Sequence, residues 1–332
     1  MKAIVKIEIA LLVLVLLAAT GMILASEGVF DLFFPPVIAE RDSIPIPTEE
    51  VFLPPQVMTE PQEAQPEEKT PDDWEITATS YFVYDIRRGD YLTQKGDGDK
   101  RIYPASITKL LSCYTLLQHM QPDTKVTVGD AMKLVQWDSS VAELKEGDVL
   151  TVEQLVEAML MVSGNDAAQV AAVAAGRKIA DNSGLSCEAA VAVFADEMNR
   201  QAKAMGMENS HFVNPDGFHH DDHYTTMNDL VSLCKTVLTD QTILKYAGLL
   251  SDTIVLPDRT LEWKNTNAFL YEELGFYMPN AIGLKTGYTE KAGNCLVSAF
   301  FEEDTVWLIG VFGCASGNEN RYKDTLAIYN SL

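Results

Sequence analysis

Three short segments constrain this chain more than anything else in it: Ser106-Ile107-Thr108-Lys109, then Ser163-Gly164-Asn165, then Lys285-Thr286-Gly287. Taken singly, each is an ordinary helix start, turn or strand end. In this order, over a domain-sized stretch, they outline a serine nucleophile served by a lysine base. A serine three residues before a lysine shares a helix face with it. Pro104 and Ala105 suit a helix start, and Leu110, Leu111, Tyr114 and Leu117 carry that helix into a core. A serine there lies beside free backbone N–H groups and the positive end of the helix dipole, which favours building an oxyanion.

A hydroxyl is a poor nucleophile until a neighbour takes its proton. Lys109 does so only when neutral, a state favoured by burial and by a second cation nearby, for which Lys285 is the natural choice. Ser163 is placed to relay a proton to the leaving group, and Asn165 to hold Lys109 and bind a substrate amide. Ala281 to Thr289 reads as a strand edge, where Gly287 lets the backbone of a ligand approach closely beside Thr286. The backbone N–H groups of Ser106 and Tyr288 are the expected oxyanion hole.

The formal net charge of −23 excludes a nucleic-acid partner, since there is no basic surface to meet phosphates. Cys113, Cys187, Cys234, Cys295 and Cys314 form no CxxC pair, which removes zinc and thioredoxin chemistry; buried free thiols are expected. An exported chain would leave room for one disulfide.

Lys2 and Lys6 precede an apolar run from Ile9 to Ala25 with no clean cleavage site, so residues 1–26 read as a signal-anchor in preference to a cleaved signal. Nine of the fourteen prolines, mixed with glutamates, fall between Pro35 and Pro71, giving residues 27–74 the composition of an extended disordered tether. Residues 75–332 are the expected catalytic domain. Its strands are expected at Ser80–Asp85, Tyr91–Leu92, Thr253–Leu256, Cys295–Phe301 and Val306–Phe312. Helices are expected at Val152–Val162, Ala167–Ala180, Cys187–Met205, Met227–Thr239 and Arg321–Leu332. Strands at both ends around a helical middle imply an α+β fold: one largely antiparallel sheet built from both ends of the domain, flanked by helices, with an inserted helical lobe.

The longer segments Tyr103–Lys109, Ser163–Ala168, His211–Gly217 and Gly283–Thr289 with Ala292-Gly293 resemble the low-molecular-weight penicillin-binding proteins of the D-alanyl-D-alanine carboxypeptidase family. The resemblance covers Ala78 to Leu332 and implies the β-lactamase/DD-peptidase-like fold. It implies removal of the terminal D-alanine from peptidoglycan pentapeptide stems through an acyl-enzyme on Ser106, without a cofactor, and acylation of the same serine by β-lactam antibiotics. It also implies that Arg321, with Thr286 beside it, holds the terminal carboxylate of the substrate. Many members carry a further β-rich domain and a C-terminal amphipathic helix. Here the sequence reaches Leu332 directly after the catalytic region, and the N-terminal segment is expected to anchor the enzyme on the extracytoplasmic face of a bacterial membrane, or to release it if cleaved.

Three other readings use the same residues. A serine β-lactamase of class A has Ser-Asp-Asn at the second motif and a deacylating glutamate; here the middle residue is Gly164 and no such glutamate loop is evident. A DD-endopeptidase cutting cross-links would look nearly identical. A non-catalytic membrane-tethered binding protein would be expected to lose Ser106 or Lys109, and both are present. His219, His220, Asp221, Asp222 and His223 lack helical metal-ligand spacing and read as a solvated loop with His223 as a structural histidine. Trp137 and Trp263 read as packing or cleft-rim residues, and Asp229 as a helix-terminal carboxylate.

Overall fold

The computed structural model describes residues 75–332; the expected anchor and tether lie outside the described residues. The described residues open with β1 (Ser80–Asp85) and β2 (Asp90–Lys95), joined where Arg88-Gly89 turns back toward Asp85. It closes with β7 (Ala281–Thr289), β8 (Gly293–Glu302), β9 (Thr305–Cys314) and helix α7 (Asn320–Asn330). These five strands form one sheet in the order β2-β1-β9-β8-β7, every pair antiparallel, so the two ends of the domain share one sheet as expected. β8 and β9 are buried along nearly their whole length, on both faces of the pleat. Tyr322 and Leu326 of α7 close one face over Phe269, Phe300 and Ile309.

Between these ends lies the helical lobe: α1 (Thr108–His119), α2 (Val152–Met161), α3 (Asn165–Ile179), α4 (Cys187–Ala204), α5 (Met227–Val237) and α6 (Gln241–Gly248). Alanine-rich α3 is buried over most of its length and runs through the middle of the lobe. A Cβ at Gly176 would meet Ala190 O at 1.9 Å, so only glycine lets α4 pack this closely. The Thr151/Gln154 capping box starts α2. Thr226 caps α5, its Oγ1 accepting from Asp229 N, and the Asp229 carboxylate in that first turn accepts from Asn209 N and Ser210 Oγ, tying the preceding loop to the helix.

The Thr253–Leu256 strand belongs elsewhere than the main sheet. As β5 (Ser251–Val255) it pairs only with β6 (Thr260–Lys264), a separate hairpin in which Ile254, Leu261 and Trp263 turn inward. A second small ladder, β3 (Lys125–Thr127) with β4 (Val149–Thr151), frames the entry to α2. All five cysteines are free and buried. Among the described residues, no helix is long and apolar enough to cross a membrane.

Candidate active site

Ser106 sits in a single 3₁₀ turn, Ala105–Ile107, that leads straight into α1. Two glycines grip this turn. Gly217 has φ +81° and would place a Cβ 1.9 Å from Ala105 O, while a Cβ on Gly287 would lie 3.0 Å from Pro104 O and 3.3 Å from Ser106 N. Backbone from β7 therefore passes directly beside the amide of the nucleophile. Six non-glycine residues in the described chain have positive φ, and three mark the three motifs: Ala105 before Ser106, Ser163 itself, and Leu284 before Lys285. Such conformations cost about 1–3 kcal/mol each and persist only where their surroundings hold them.

Lys109 is completely buried. Its Nζ lies 2.9 Å from Ser106 Oγ, 2.7 Å from Asn165 Oδ1 and 2.7 Å from the Asp216 carbonyl. Two of these partners only accept; the serine hydroxyl can also donate. A neutral lysine keeps its two remaining N–H bonds on Asn165 and Asp216 and turns its lone pair to Ser106. Burial lowers its pKa to about 8, against the opposing pull of Asp216, Cys113 and Asp166. Burial and contact with the serine hydroxyl are two conditions for a base at this position.

Lys285 is also buried, and burial, then Lys109 and Arg321, push its pKa well below the ordinary value. Its Nζ donates to Thr286 O at 3.1 Å and Thr286 Oγ1 at 3.4 Å. Thr286 Oγ1 lies 2.9 Å from Thr266 Oγ1, so two hydroxyls meet in the cleft. Ser106, Ser163, Asn165, Thr286, Gly287, Tyr288 and Arg321 all line this one cleft of about 950 Å³, with Lys109 and Lys285 beneath it. The predicted site residues are thus brought together.

Arg321, in the first turn of α7, is buried and spends all five N–H donors on the protein. Nε donates to Asn318 O at 3.2 Å; Nη1 to Gly287 O and Cys295 O at 3.1 and 3.3 Å; Nη2 to Asn294 Oδ1 and to Asn318 Oδ1, the latter at 3.1 Å. All these acceptors are neutral, and no carboxylate among the described residues pairs with it. Burial accordingly lowers its pKa. The guanidinium locks β7 to β8 and α7 and leaves its positive charge uncompensated beside the two buried lysines.

On the opposite wall, Asp166 is buried behind the Ser163-Gly164-Asn165 turn. Its carboxylate accepts from Ala142 N at 2.8 and 3.0 Å, Leu144 N at 3.0 Å and Ala167 N at 2.8 Å. Asn165 N also donates to Ser140 O at 2.8 Å. Burial raises the Asp166 pKa while the N–H donors lower it. Trp263, expected as packing or rim, is packing: buried, with Nε1 donating to Ala142 O at 3.1 Å.

His223 is the structural histidine of its loop. Val213 N donates to Nδ1 at 3.2 Å, which leaves the proton on Nε2 to reach Thr108 Oγ1 at 2.8 Å. Burial lowers its pKa to about 3, so it stays neutral. Two contributors escaped the sequence reading. The Asp216 carbonyl that holds Lys109 is backbone, fixed because Asn214 Oδ1 accepts from Gly217 N and Gln169 Nε2 donates to the Asp216 carboxylate. Its signal was present in the His211–Gly217 segment, without a role. The Thr266 hydroxyl had no signal beyond an Asn-Thr-Asn turn.

The family described as D-alanyl-D-alanine carboxypeptidase, peptidase S11, matches residues 64–314. The D-alanyl-D-alanine carboxypeptidase DacF of Bacillus subtilis is 28% identical over 75% of this chain, and the match spans 60% of its own length. The crystal structure of the Streptomyces K15 DD-transpeptidase superposes with a TM-score of 0.68 at 29% identity, covering 77% of this chain and 97% of that one. Penicillin-binding protein D2 of Listeria monocytogenes, in its cefotaxime-bound form, gives 0.62 at 26% identity, over the same shares of the two chains.

Proposed function

The chain belongs to the D-alanyl-D-alanine carboxypeptidase family, and from that premise we propose that it removes the terminal D-alanine from peptidoglycan pentapeptide stems. Ser106 Oγ attacks the penultimate D-alanine carbonyl as Lys109 takes its proton, and the backbone N–H groups of Ser106 and Tyr288 receive the oxyanion. Ser163 passes a proton to the departing amine. Water, activated by Lys109, then cleaves the ester and frees the serine. Asn165 keeps Lys109 aligned and offers its amide to the peptide, which lies along β7 beside Gly287. β-Lactam antibiotics acylate the same oxygen.

The terminal carboxylate of the substrate meets the hydroxyls of Thr286 and Thr266 within the positive field of Lys285 and Arg321. The guanidinium of Arg321 acts there through charge and through β7, since its N–H groups are already engaged. The enzyme works on the extracytoplasmic face of a bacterial membrane, held by the apolar Ile9–Ala25 segment.

The observation that carries this reading is the three-way placement of Lys109 Nζ, with two fixed acceptors and Ser106 Oγ at 2.9 Å. The test is release of D-alanine from a peptide ending in Lys-D-Ala-D-Ala by the full chain, beside Ser106→Ala. Release that disappears in the variant supports the reading. No release, or release that survives Ser106→Ala, refutes it. Formation of a new amide with an added amine acceptor, in place of hydrolysis, would assign a transpeptidase.

A further inference from the structure

Trp137 is 94% exposed, the most exposed large apolar side chain among the described residues. Its neighbours Asp138, Ser139 and Ser140 line the cleft. Trp137 and Asp138 occupy the two central positions of a tight turn closed by Ser139 N donating to Gln136 O at 3.2 Å. Two residues on, Ser140 O accepts from Asn165 N, and Asp166 binds the N–H groups of Ala142 and Leu144. The turn is therefore fixed to the residue that aligns the base. An indole held out in water on a fixed turn is a contact surface awaiting a ligand.

The charges around the cleft are polarised. Its floor holds the Arg321 guanidinium, which no carboxylate among the described residues pairs, with the buried amines of Lys109 and Lys285 beneath; its lip holds the exposed Asp138, Glu290 and Lys291. Glu290 and Lys291 offset one another, which leaves Asp138 as the net charge of the lip. A stem peptide carrying a terminal carboxylate and a side-chain ammonium has the same polarity in reverse.

We propose that Trp137 and Asp138 form a subsite for the side-chain ammonium of the diamino acid that precedes D-Ala-D-Ala. The proposal rests on the carboxypeptidase reading and adds a preference to it: stems whose amine is free are better substrates than stems whose amine is acylated. The indole face takes the ammonium by cation–π attraction and the methylene stem by contact, while the Asp138 carboxylate pairs with the charge. A sugar ring would use the indole but has no need of the carboxylate, and the overall acidity of the chain favours a cation.

The test compares two peptides on the full chain: Nα-acetyl-Lys-D-Ala-D-Ala, and the same peptide acetylated on the side-chain amine. Each is assayed with the wild type, Trp137→Ala, Asp138→Asn and Asp138→Glu. The expected wild-type ratio of kcat/KM favours the free amine by about three- to tenfold, the combined size of an exposed cation–π contact and an exposed ion pair. That ratio should fall towards one in Trp137→Ala and Asp138→Asn, be largely kept in Asp138→Glu, and shrink with added salt.

Equal ratios in all four proteins overturn the proposal. So does a parallel loss on both peptides, which would make the turn merely structural. A Trp137→Ala defect seen only with a disaccharide-linked stem assigns the indole to sugar and also overturns it. Failure of the wild type on both peptides removes the carboxypeptidase reading itself and the proposal with it.

Discussion

The two walls of the cleft each rest on one buried charge, and the two charges are used differently. Asp166 behind the helical wall is an anion met by backbone N–H donors from Ala142, Leu144 and Ala167. Arg321 behind the sheet wall is a cation met only by neutral oxygens. The first arrangement satisfies backbone donors that have no other partner, so it builds the wall. The second satisfies carbonyls that tolerate loss more readily, and it carries an unbalanced charge into the site. One is a fastening; the other is a fastening that also attracts an anion.

This contrast fails if the two residues prove interchangeable in effect. Asp166→Ala leaves three backbone donors buried without acceptors, and a loss of about 3–5 kcal/mol is expected from urea denaturation. Arg321→Met removes a buried cation along with its hydrogen bonds, and the stability change should stay near 1 kcal/mol. Similar losses would show that both charges are structural.

A second comparison uses the substrate. Replacing the terminal carboxylate of the peptide by an amide should lower kcat/KM of the wild type by about 100-fold, the scale of a hydrogen bond with a charged partner. In Arg321→Met the acid and amide peptides should differ by less than tenfold. An unchanged ratio would leave the guanidinium with no part in charge recognition.

The pH dependence sharpens the role of the base between the walls. As the proposed base, Lys109 has to lose its own proton before it can take that of Ser106, and burial lowers its pKa to about 8. The rate of acylation by penicillin should therefore rise about tenfold per pH unit below that value and level off above it. A flat profile from pH 6 to 9 would mean that another group takes the proton. The smallest expected effect is that of Trp263→Phe, which removes the indole donor to Ala142 O; about 1 kcal/mol of stability should go, with little change in rate.

Much of this was written in the sequence, because catalysis needs particular side chains at particular spacings. Ser106, Lys109, Asn165 and Lys285 announce themselves, and the continuous apolar runs of β8 and β9 and the periodicity of α3 and α4 place the sheet and the lobe. Backbone contributions stayed hidden. The Asp216 carbonyl belongs to any residue type, and only the close approach of Gly217 to Ala105 brings it under Lys109. Partner choice was hidden too: Thr253–Leu256 has strand composition, but pairing with Thr260–Lys264 rather than with the main sheet is a tertiary outcome. The eight-residue helix α6 is too short for its period to stand out. Arg321 was legible as a cation near the substrate, whereas its five engaged donors depend on where Gly287, Cys295, Asn294 and Asn318 converge.

The pair of glycines that grips Pro104–Ser106 also bears on how such a site can change over generations. An added carbon at Gly217 would run into the Ala105 backbone, and one at Gly287 would press tightly on Pro104 O and Ala105. Variants that evade a β-lactam by reshaping the seat of the nucleophile would lose the enzyme along with the drug. Heritable tuning is left to positions facing solvent, where Tyr288 is 60% exposed and Trp137 more so. The floor of the cleft is closed to adaptation and its lip is open to it, so variants that discriminate inhibitor from peptide should accumulate at the lip.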